Sequence, residues 1–319
     1  MRQALAEVVV VLPEAVRSVA EYHLAIGKSA HDMRACAGKG TRPAVVLACA
    51  RAVGGCEMDA VPGAVAVELV HGFSLLHDDI MDGDRMRRHR PAAWVRFGVP
   101  AALLAGDALL AQAVRVLERT GSQRAVSVLA DGLDDLMHGQ AMDLAFERRE
   151  WVTREEYLAM AQAKTGALMG AACALGAVLA GAPEATVRTL EQFGRRAGTA
   201  FQCVDDVLGL WGDPQQTGKP AGGDVVRGKK TYPLVAVLGD ATPAARRIHA
   251  LLQRPGAWPP HRVAVLVGAV EEAGGRAAAL REAAEQLRCA LHCLDQAELA
   301  QEAKAELAAL AQTMVRRRR

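Results

Sequence analysis

Clusters of Gly and Pro cut this chain at intervals, and almost nothing between them alternates with period two. The breakers are AGKGTRP (37–43), VGGCEMDAVPG (53–63), FGVP (97–100), TGSQ (120–123), AGAPEA (180–185), WGDPQQTGKPAGGD (211–224), GDATP (239–243) and RPGAWPPH (254–261). The stretches they bound run roughly ten to thirty residues and are rich in Ala, Leu, Glu, Arg, Gln and Met, the residues that form helix most readily. The segment after Gly274 reads as one or two amphipathic helices. The run EVVVVL (7–12) is β-branched, but a single such run has no partner strand, so it too reads as helix. No repeat of solenoid length and no shift in composition marks a boundary. The chain is therefore expected to fold as one all-α domain over residues 1–319.

Composition narrows the functional classes. Hydrophobic residues make up 51% of the 319 residues and charged ones 23%, the balance of an ordered chain with a sizeable core. A net charge of +2 gives no global field for nucleic acid, so no nucleic-acid partner is expected. Seven cysteines lie scattered without a CxxC pair; their odd number argues against a disulfide framework and for a cytoplasmic location. The N-terminus lacks the early bases of a secretory signal. The uncharged stretch Thr165–Pro183 approaches the length of a bilayer span, but its Ala and Gly transfer weakly into lipid. It reads as a buried, closely packed helix, and no transmembrane segment is expected. The four arginines at 316–319 read as a solvated helix end, with contact to an anionic membrane as the lesser alternative.

The chemistry concentrates in LLHDDIMDGDRMRRHRPA (75–92), where Asp78, Asp79, Asp82 and Asp84 run straight into Arg85, Arg87, Arg88 and Arg90. Asp78 and Asp82 are one helical turn apart and share a face. Two bare carboxylates at that spacing repel, and a divalent cation between them relieves the repulsion. Carboxylate and substrate phosphate oxygens suit Mg²⁺. Taken alone, a solvated acidic helix face explains the cluster equally well. A second pair, Asp205-Asp206, ends another apolar run and leads into a Gly-rich loop with Lys219 and Asp224, then RGKKTYP (227–233). Carboxylates inside apolar sequence are costly unless paired or metal-bound. Two such pairs, each followed by bases, suggest two rims of one cavity for a Mg²⁺–diphosphate complex.

At these residues the chain resembles the trans-isoprenyl diphosphate synthases, the polyprenyl synthetase family, in collinear order over roughly residues 20 to 235. The family's first aspartate-rich motif, DDxxD, stands as Asp78-Asp79-Ile80-Met81-Asp82, followed by Arg87-Arg88. Gly-Lys-x-x-Arg-Pro stands as GKGTRP, giving Lys39 and Arg42, and the His before the first motif is His71. GD lies at 106–107 and GQAMD at 139–143. Lys164-Thr165-Gly166, Phe201-Gln202, Lys219, Lys229 and Thr231 complete the set. The second motif departs from DDxxD: it reads Asp205-Asp206-Val207-Leu208-Gly209, without the last carboxylate. Asp213 is the nearest candidate to compensate.

The resemblance implies the isoprenoid synthase fold, a helical bundle around a central apolar cavity. It implies a prenyltransferase that condenses an allylic diphosphate with isopentenyl diphosphate. Asp78, Asp82 and Asp205 would hold three Mg²⁺, with Asp79 and Asp206 as secondary candidates. Arg87, Lys164 and Lys219 would complete the clamp on the allylic diphosphate, and Lys229 and Gln202 are further substrate contacts. Isopentenyl diphosphate would bind through Lys39, Arg42, His71 and Arg88, and the dipoles of Thr165 and Gln202 would stabilise the carbocation. Phe73, five positions before an uninserted motif, with Ser74 beside it, points to a C20 product, geranylgeranyl diphosphate; farnesyl diphosphate is the next choice and longer chains follow. A homodimer is implied, with the uncharged helices at 101–113 and 165–183 offering apolar faces. Taken singly, each residue has a plain structural explanation: Lys39 and Arg42 as solvated bases, His71 as a satisfied core histidine, Lys164 as a helix cap. A class I terpene cyclase and a non-catalytic subunit of a heteromeric synthase are the competing readings. The second Asp pair, together with Lys39, Arg42 and His71, opposes the cyclase.

Overall fold

The computed structural model describes residues 1–26, 40–213, 222–240, 242–253 and 256–316. In chain order its elements are α1 (Arg2–Val9), α2 (Glu14–Leu24), α3 (Thr41–Ala52), α4 (Glu57–Met81), β1 (Met86–Arg87), β2 (Arg90–Pro91), α5 (Ala93–Phe97), α6 (Val99–Glu118) and α7 (Gln123–Glu147). There follow α8 (Arg154–Ala161), a π-helical turn (Gln162–Gly166), α9 (Ala167–Leu179), α10 (Glu184–Trp211), α11 (Gly223–Val226) and α12 (Tyr232–Leu238). The chain then runs through α13 (Pro243–Leu252), α14 (Pro260–Glu272), α15 (Gly275–Gln296) and α16 (Gln301–Val315). The all-α reading holds: EVVVVL falls in and after α1, and the C-terminal segment forms two helices. The one departure among the described residues is a two-residue hairpin, with Met86 opposite Pro91 and Arg87 opposite Arg90.

The chain's contacts group into two compact units, each assembled from three stretches. The first comprises Met1–Gly132, Leu168–Gly194 and Cys293–Leu310; the second comprises Leu133–Ala167, Arg195–His292 and Ala311–Arg319.

In the first unit α4 packs most extensively on α6 and next on α3. Its apolar run buries Ala60, Ala64, Val65, Val67, Leu69, Val70, Phe73 and Leu76. This is why a helix whose length and composition would let it cross a membrane is mostly buried; α6, which passes the same test, has a third of its apolar window buried. The Ala- and Gly-rich α9 lies against α3 so closely that a Cβ at Gly176 would meet the Val46 carbonyl oxygen at 2.1 Å. Residues Leu168, Met169, Ala171, Ala172, Cys173, Ala174, Leu175 and Ala177 are all buried within the chain. The expectation that 165–183 offers an unburied apolar face is therefore corrected. Small side chains let the backbones approach, and the approach hides the helix.

The hairpin that carries the arginines after the first motif turns through Arg88 (φ +51°) and His89 (φ +61°), both left-handed and neither glycine. Two residues at positive φ give the turn whose twist matches a tight hairpin. Helix α2 holds it in place. Arg90 Nη2 donates to the Tyr22 carbonyl at 3.1 Å, the Arg90 guanidinium lies 4.6 Å from the Tyr22 ring centroid, and the Tyr22 hydroxyl donates to the Pro91 carbonyl at 2.8 Å. His23, also from α2, is buried near Arg87, Arg88 and Arg90.

The second unit has two cores. One joins α7, α8, α10, α12 and α15 through Phe146, Tyr157, Met160, Val204, Tyr232 and Ala279. The other joins α10 to α14 through Leu210, Val225, Leu234, Ile248, Leu266 and Val270. Helix α8 starts with a capping box: Glu156 N–H donates to the Thr153 hydroxyl at 3.1 Å, and Thr153 N–H donates to the Glu156 carboxylate at 2.9 Å.

Burial, and then Arg88, Arg87 and Arg90, lower His23 from 6.5 to about 3. Below pH 6.5 the unfolded chain takes up a proton that the folded chain refuses until about pH 3. Stability is therefore full above the unfolded value and falls as pH drops through this window, by about 1.4 kcal/mol per pH unit for this one group. His23→Gln should flatten the fall in unfolding free energy between pH 6 and 4 by about that slope in urea titrations. Parallel curves for the two proteins would mean that His23 accepts its proton in the folded state.

Candidate active site

In the first unit the site is one face of α4 together with the hairpin. Glu68, His71, Ser74, Leu75, Asp78 and Asp82 recur at spacings of three and four and so share that face. Asp78 and Asp82 are half-buried at its C-terminal end. Asp79 points the other way and is 1% exposed. Arg87 grips it: Nε donates to the two carboxylate oxygens at 2.9 and 3.2 Å, and Nη2 donates to Oδ1. Asp84 lies 3.9 Å from the same guanidinium. Four acids running into four bases thus resolve into different jobs. Arg87 neutralises Asp79, Arg90 anchors the hairpin on Tyr22, and exposed Arg85 lies 5.6 Å from the Trp94 ring centroid.

Further along α4 a basic cluster surrounds His71. Arg42 Nη1 lies 3.1 Å from His71 Nε2. Burial first, and then Arg42, Arg88, His23 and Arg87, hold His71 well below its ordinary value. The ring is therefore neutral and Nε2 accepts from Arg42, which leaves the proton on Nδ1. Glu68 lies one turn before His71. Burial raises its carboxyl against the attraction of Arg42 and Arg88. Glu68 is a site residue that the motif comparison passed over, and its signal was its spacing of three from His71 and ten from Asp78. Phe73 is buried with its ring edge-on to His77, centroids 4.7 Å apart. The Ser74 hydroxyl donates to the His71 carbonyl at 3.0 Å.

The second unit repeats the division of labour. Asp205 is exposed and Asp206 is buried. Asp206 accepts from the Tyr157 hydroxyl, from Tyr232 N–H at 2.7 Å and from Gln202 Nε2 at 2.9 Å. Burial lifts its carboxyl to about 7, against the lowering effect of these three donors. Gln202 Oε1 in turn accepts from the Thr165 hydroxyl at 2.6 Å. Thr165, Gln202 and Asp206 therefore form one hydrogen-bonded relay that fixes both dipoles. Lys164 sits in the π-helical turn, a local widening that recurs at functional positions. Its Nζ lies 2.6 Å from Asp143, and Lys229 lies 3.6 Å from the same oxygen. Although burial opposes it, the pull of Lys164 and Lys229 holds the Asp143 carboxyl below its ordinary value. Asp143 is the last residue of GQAMD; its role as the brace of two lysines follows from contacts 21 and 86 positions apart in sequence. Lys39 and Lys219 lie outside the described residues.

Asp78 and Asp82 fit a Mg²⁺ site that is completed by substrate oxygens rather than by the protein. They are hard oxygen donors one turn apart, and no cluster of three acidic, His or Cys side chains suited to a metal occurs among the described residues.

The sequence pattern described as Polyprenyl synthetase matches residues 25–261. The chain is 44% identical over 309 residues to a geranylgeranyl diphosphate synthase of Mycobacterium tuberculosis, covering 95% of this chain and 87% of that one. It is 40% identical over 309 residues to a (2E,6E)-farnesyl diphosphate synthase of Mycobacterium bovis, covering 95% and 86%. The structure superposes on the crystal structure of a polyprenyl synthetase from Streptomyces coelicolor A3(2) with a TM-score of 0.91, at 39% identity and with coverage of 98% and 96%. With its all-α isoprenoid synthase fold and both aspartate pairs in place, the chain belongs to the polyprenyl synthetase family.

Proposed function

We propose that this protein is a trans-prenyltransferase that joins an allylic diphosphate to isopentenyl diphosphate and releases a short-chain prenyl diphosphate, geranylgeranyl diphosphate first and farnesyl diphosphate next. The observation that carries the reading is the α4 face. It sets two carboxylates suited to a metal-bound diphosphate beside a neutral His71 flanked by Arg42 and Arg88. A terpene cyclase has no use for that second, metal-free anion site. Its presence also opposes a non-catalytic subunit.

Asp78, Asp82 and Asp205 are assigned to Mg²⁺, three ions in the full reading. When bound, Mg²⁺ supplies Lewis-acid stabilisation of the departing diphosphate. Lys164, Lys219 and Lys229 add fixed positive charge where negative charge develops as the allylic C–O bond breaks. Asp143 positions two of them. Arg87 acts through Asp79, orienting the first motif from behind. Arg42, His71, Arg88 and Lys39 hold isopentenyl diphosphate, and Glu68 keeps Arg42 and Arg88 aimed. The isopentenyl double bond attacks the allylic cation. The Thr165 hydroxyl and Gln202 carbonyl dipoles, locked by Asp206, stabilise that cation in an apolar cavity that excludes water. Released diphosphate takes the final proton.

A single domain, a cytoplasmic location and a homodimer belong to the same reading. The two units are interleaved along the chain, so neither is a continuous stretch. The described cysteines are free thiols. Val99, Leu103, Leu104 and Val114 form an exposed apolar stripe on α6, which suits a second copy of the chain.

Product analysis with Mg²⁺, isopentenyl diphosphate and each allylic primer tests the reaction directly, and a prenyl diphosphate of C15 to C20 is expected. Arg42→Ala should raise KM for isopentenyl diphosphate roughly ten- to hundredfold, as expected for one charge-assisted contact, and leave the allylic KM nearly unchanged. A cyclic hydrocarbon product, or loss of allylic binding in the variant, would overturn the assignment.

Chain length should depend on the α4 face. Ser74 lies one turn from Asp78 on the same face, while Phe73 is rotated by about 140° and sits about 7.5 Å from Asp78 along the axis. Ser74→Phe should shorten the product toward C15, and Phe73→Ala should lengthen it, less completely because neighbours relax into the hole. Unchanged product distributions in both would move the floor of the cavity to another helix.

Light scattering at micromolar concentration should give the mass of a dimer, and Leu104→Glu should shift it toward the monomer. A monomeric wild type would remove the α6 interface.

A further inference from the structure

The second aspartate pair is followed by Gly209 where the family pattern has a carboxylate, and the sequence suggests Asp213 as its replacement. The structure points elsewhere. A Cβ built on Gly209 would lie 2.6 Å from Asp224 Oδ2, and among the described residues the Asp224 carboxylate is what comes within 4 Å of it. Asp213, at the exposed end of the helix, does not. Asp205 and Gly209 are one turn apart on α10, so the Asp224 carboxylate stands where a side chain one turn beyond Asp205 would begin. This is the spacing that Asp78 and Asp82 show on α4. We propose that Asp224 supplies, from α11, the carboxylate that position 209 lacks, and that it serves the same divalent-cation site as Asp205. The inference rests on the proposed Mg²⁺–diphosphate chemistry.

Asp224 is delivered there by fixed structure. Gly222 N–H donates to the Gly209 carbonyl at 2.8 Å, which ties the start of α11 to α10. Lys229 N–H donates to the Asp224 carbonyl at 3.0 Å. Arg227 Nη2 donates to Asp224 Oδ1, which fixes the carboxylate's orientation and leaves Oδ2 toward Gly209. The arrangement also explains why position 209 is glycine. An aspartate there would clash with Oδ2 and set two negative charges together, so the two carboxylates are alternatives.

The test compares Asp224→Asn, Asp224→Ala, Gly209→Asp and the exchange Gly209→Asp/Asp224→Ala. The readouts are the unfolding midpoint of metal-free protein and the Mg²⁺ concentration at half-saturation for calorimetric binding of inorganic diphosphate. Asp224→Asn keeps the shape and loses the charge, and should raise the Mg²⁺ requirement about tenfold. Gly209→Asp alone should lower the unfolding midpoint. The exchange should bring the Mg²⁺ requirement back toward wild type, below that of Asp224→Ala. A Gly209→Asp protein as stable as wild type, an Asp224→Asn protein with an unchanged Mg²⁺ requirement, or an exchange no better than Asp224→Ala would each overturn the proposal. Neither readout requires prenyl transfer. A wild type that binds diphosphate with Mg²⁺ yet makes no prenyl product would refute the proposed reaction while these comparisons still decide the role of Asp224.

Discussion

In each aspartate pair one carboxylate is neutralised inside the protein so that its neighbour need not be. Asp79 is gripped by Arg87 and Asp206 by two tyrosines and Gln202, while Asp78 is half-buried and Asp205 exposed. Adjacent residues on a helix point about 100° apart, so a tandem pair necessarily sends one side chain inward when the other faces out. An inward carboxylate without donors would be pushed out of the fold or protonated. The donors therefore come first, and the helix faces that carry Asp78, Asp82 and Asp205 are fixed by them.

This dependence spreads outward through the structure. Arg87 can reach Asp79 because the chain reverses through two left-handed residues, Arg88 and His89, a conformation costing of order 1–3 kcal/mol per residue when unsupported. Tyr22 and Arg90 provide the support, and burial beneath three arginines keeps His23 neutral. On the other side, Tyr157 and Tyr232 belong to the core that joins α8, α10 and α12, their rings edge-on at 5.2 Å. Stability and the geometry of the candidate site thus share the same side chains.

Much of this was legible in the sequence because it depends on local spacing. The i, i+4 relation of Asp78 and Asp82, the breakers between helices and the ordered motifs need only helix geometry to be read. What was not legible depends on partners far apart along the chain. Arg87 reads as a clamp on substrate, but its fork closes on Asp79 eight positions away, through a turn that carries no glycine. The donors to Asp206 come from positions 157 and 232, and the brace of Lys164 and Lys229 comes from Asp143. The stretch at 165–183 looked like a face awaiting a partner. Its small residues instead let α9 press against α3, which composition alone does not distinguish. Asp213 was the nearer candidate in sequence, and Asp224 is the one in space.

The claim that one aspartate of each pair braces while the other binds is tested most directly by comparing Asp78→Asn with Asp79→Asn. Both remove one charge from adjacent positions of one helix. The two quantities to measure are the unfolding free energy of metal-free protein and Mg²⁺-dependent binding of inorganic diphosphate. Asp78→Asn should abolish the binding and leave stability nearly unchanged. Asp79→Asn should cost about 2–3 kcal/mol of stability, because it leaves the partly buried Arg87 without its counter-charge, and should weaken binding only secondarily. The opposite pattern, a stable Asp79→Asn protein that no longer binds, would contradict the account.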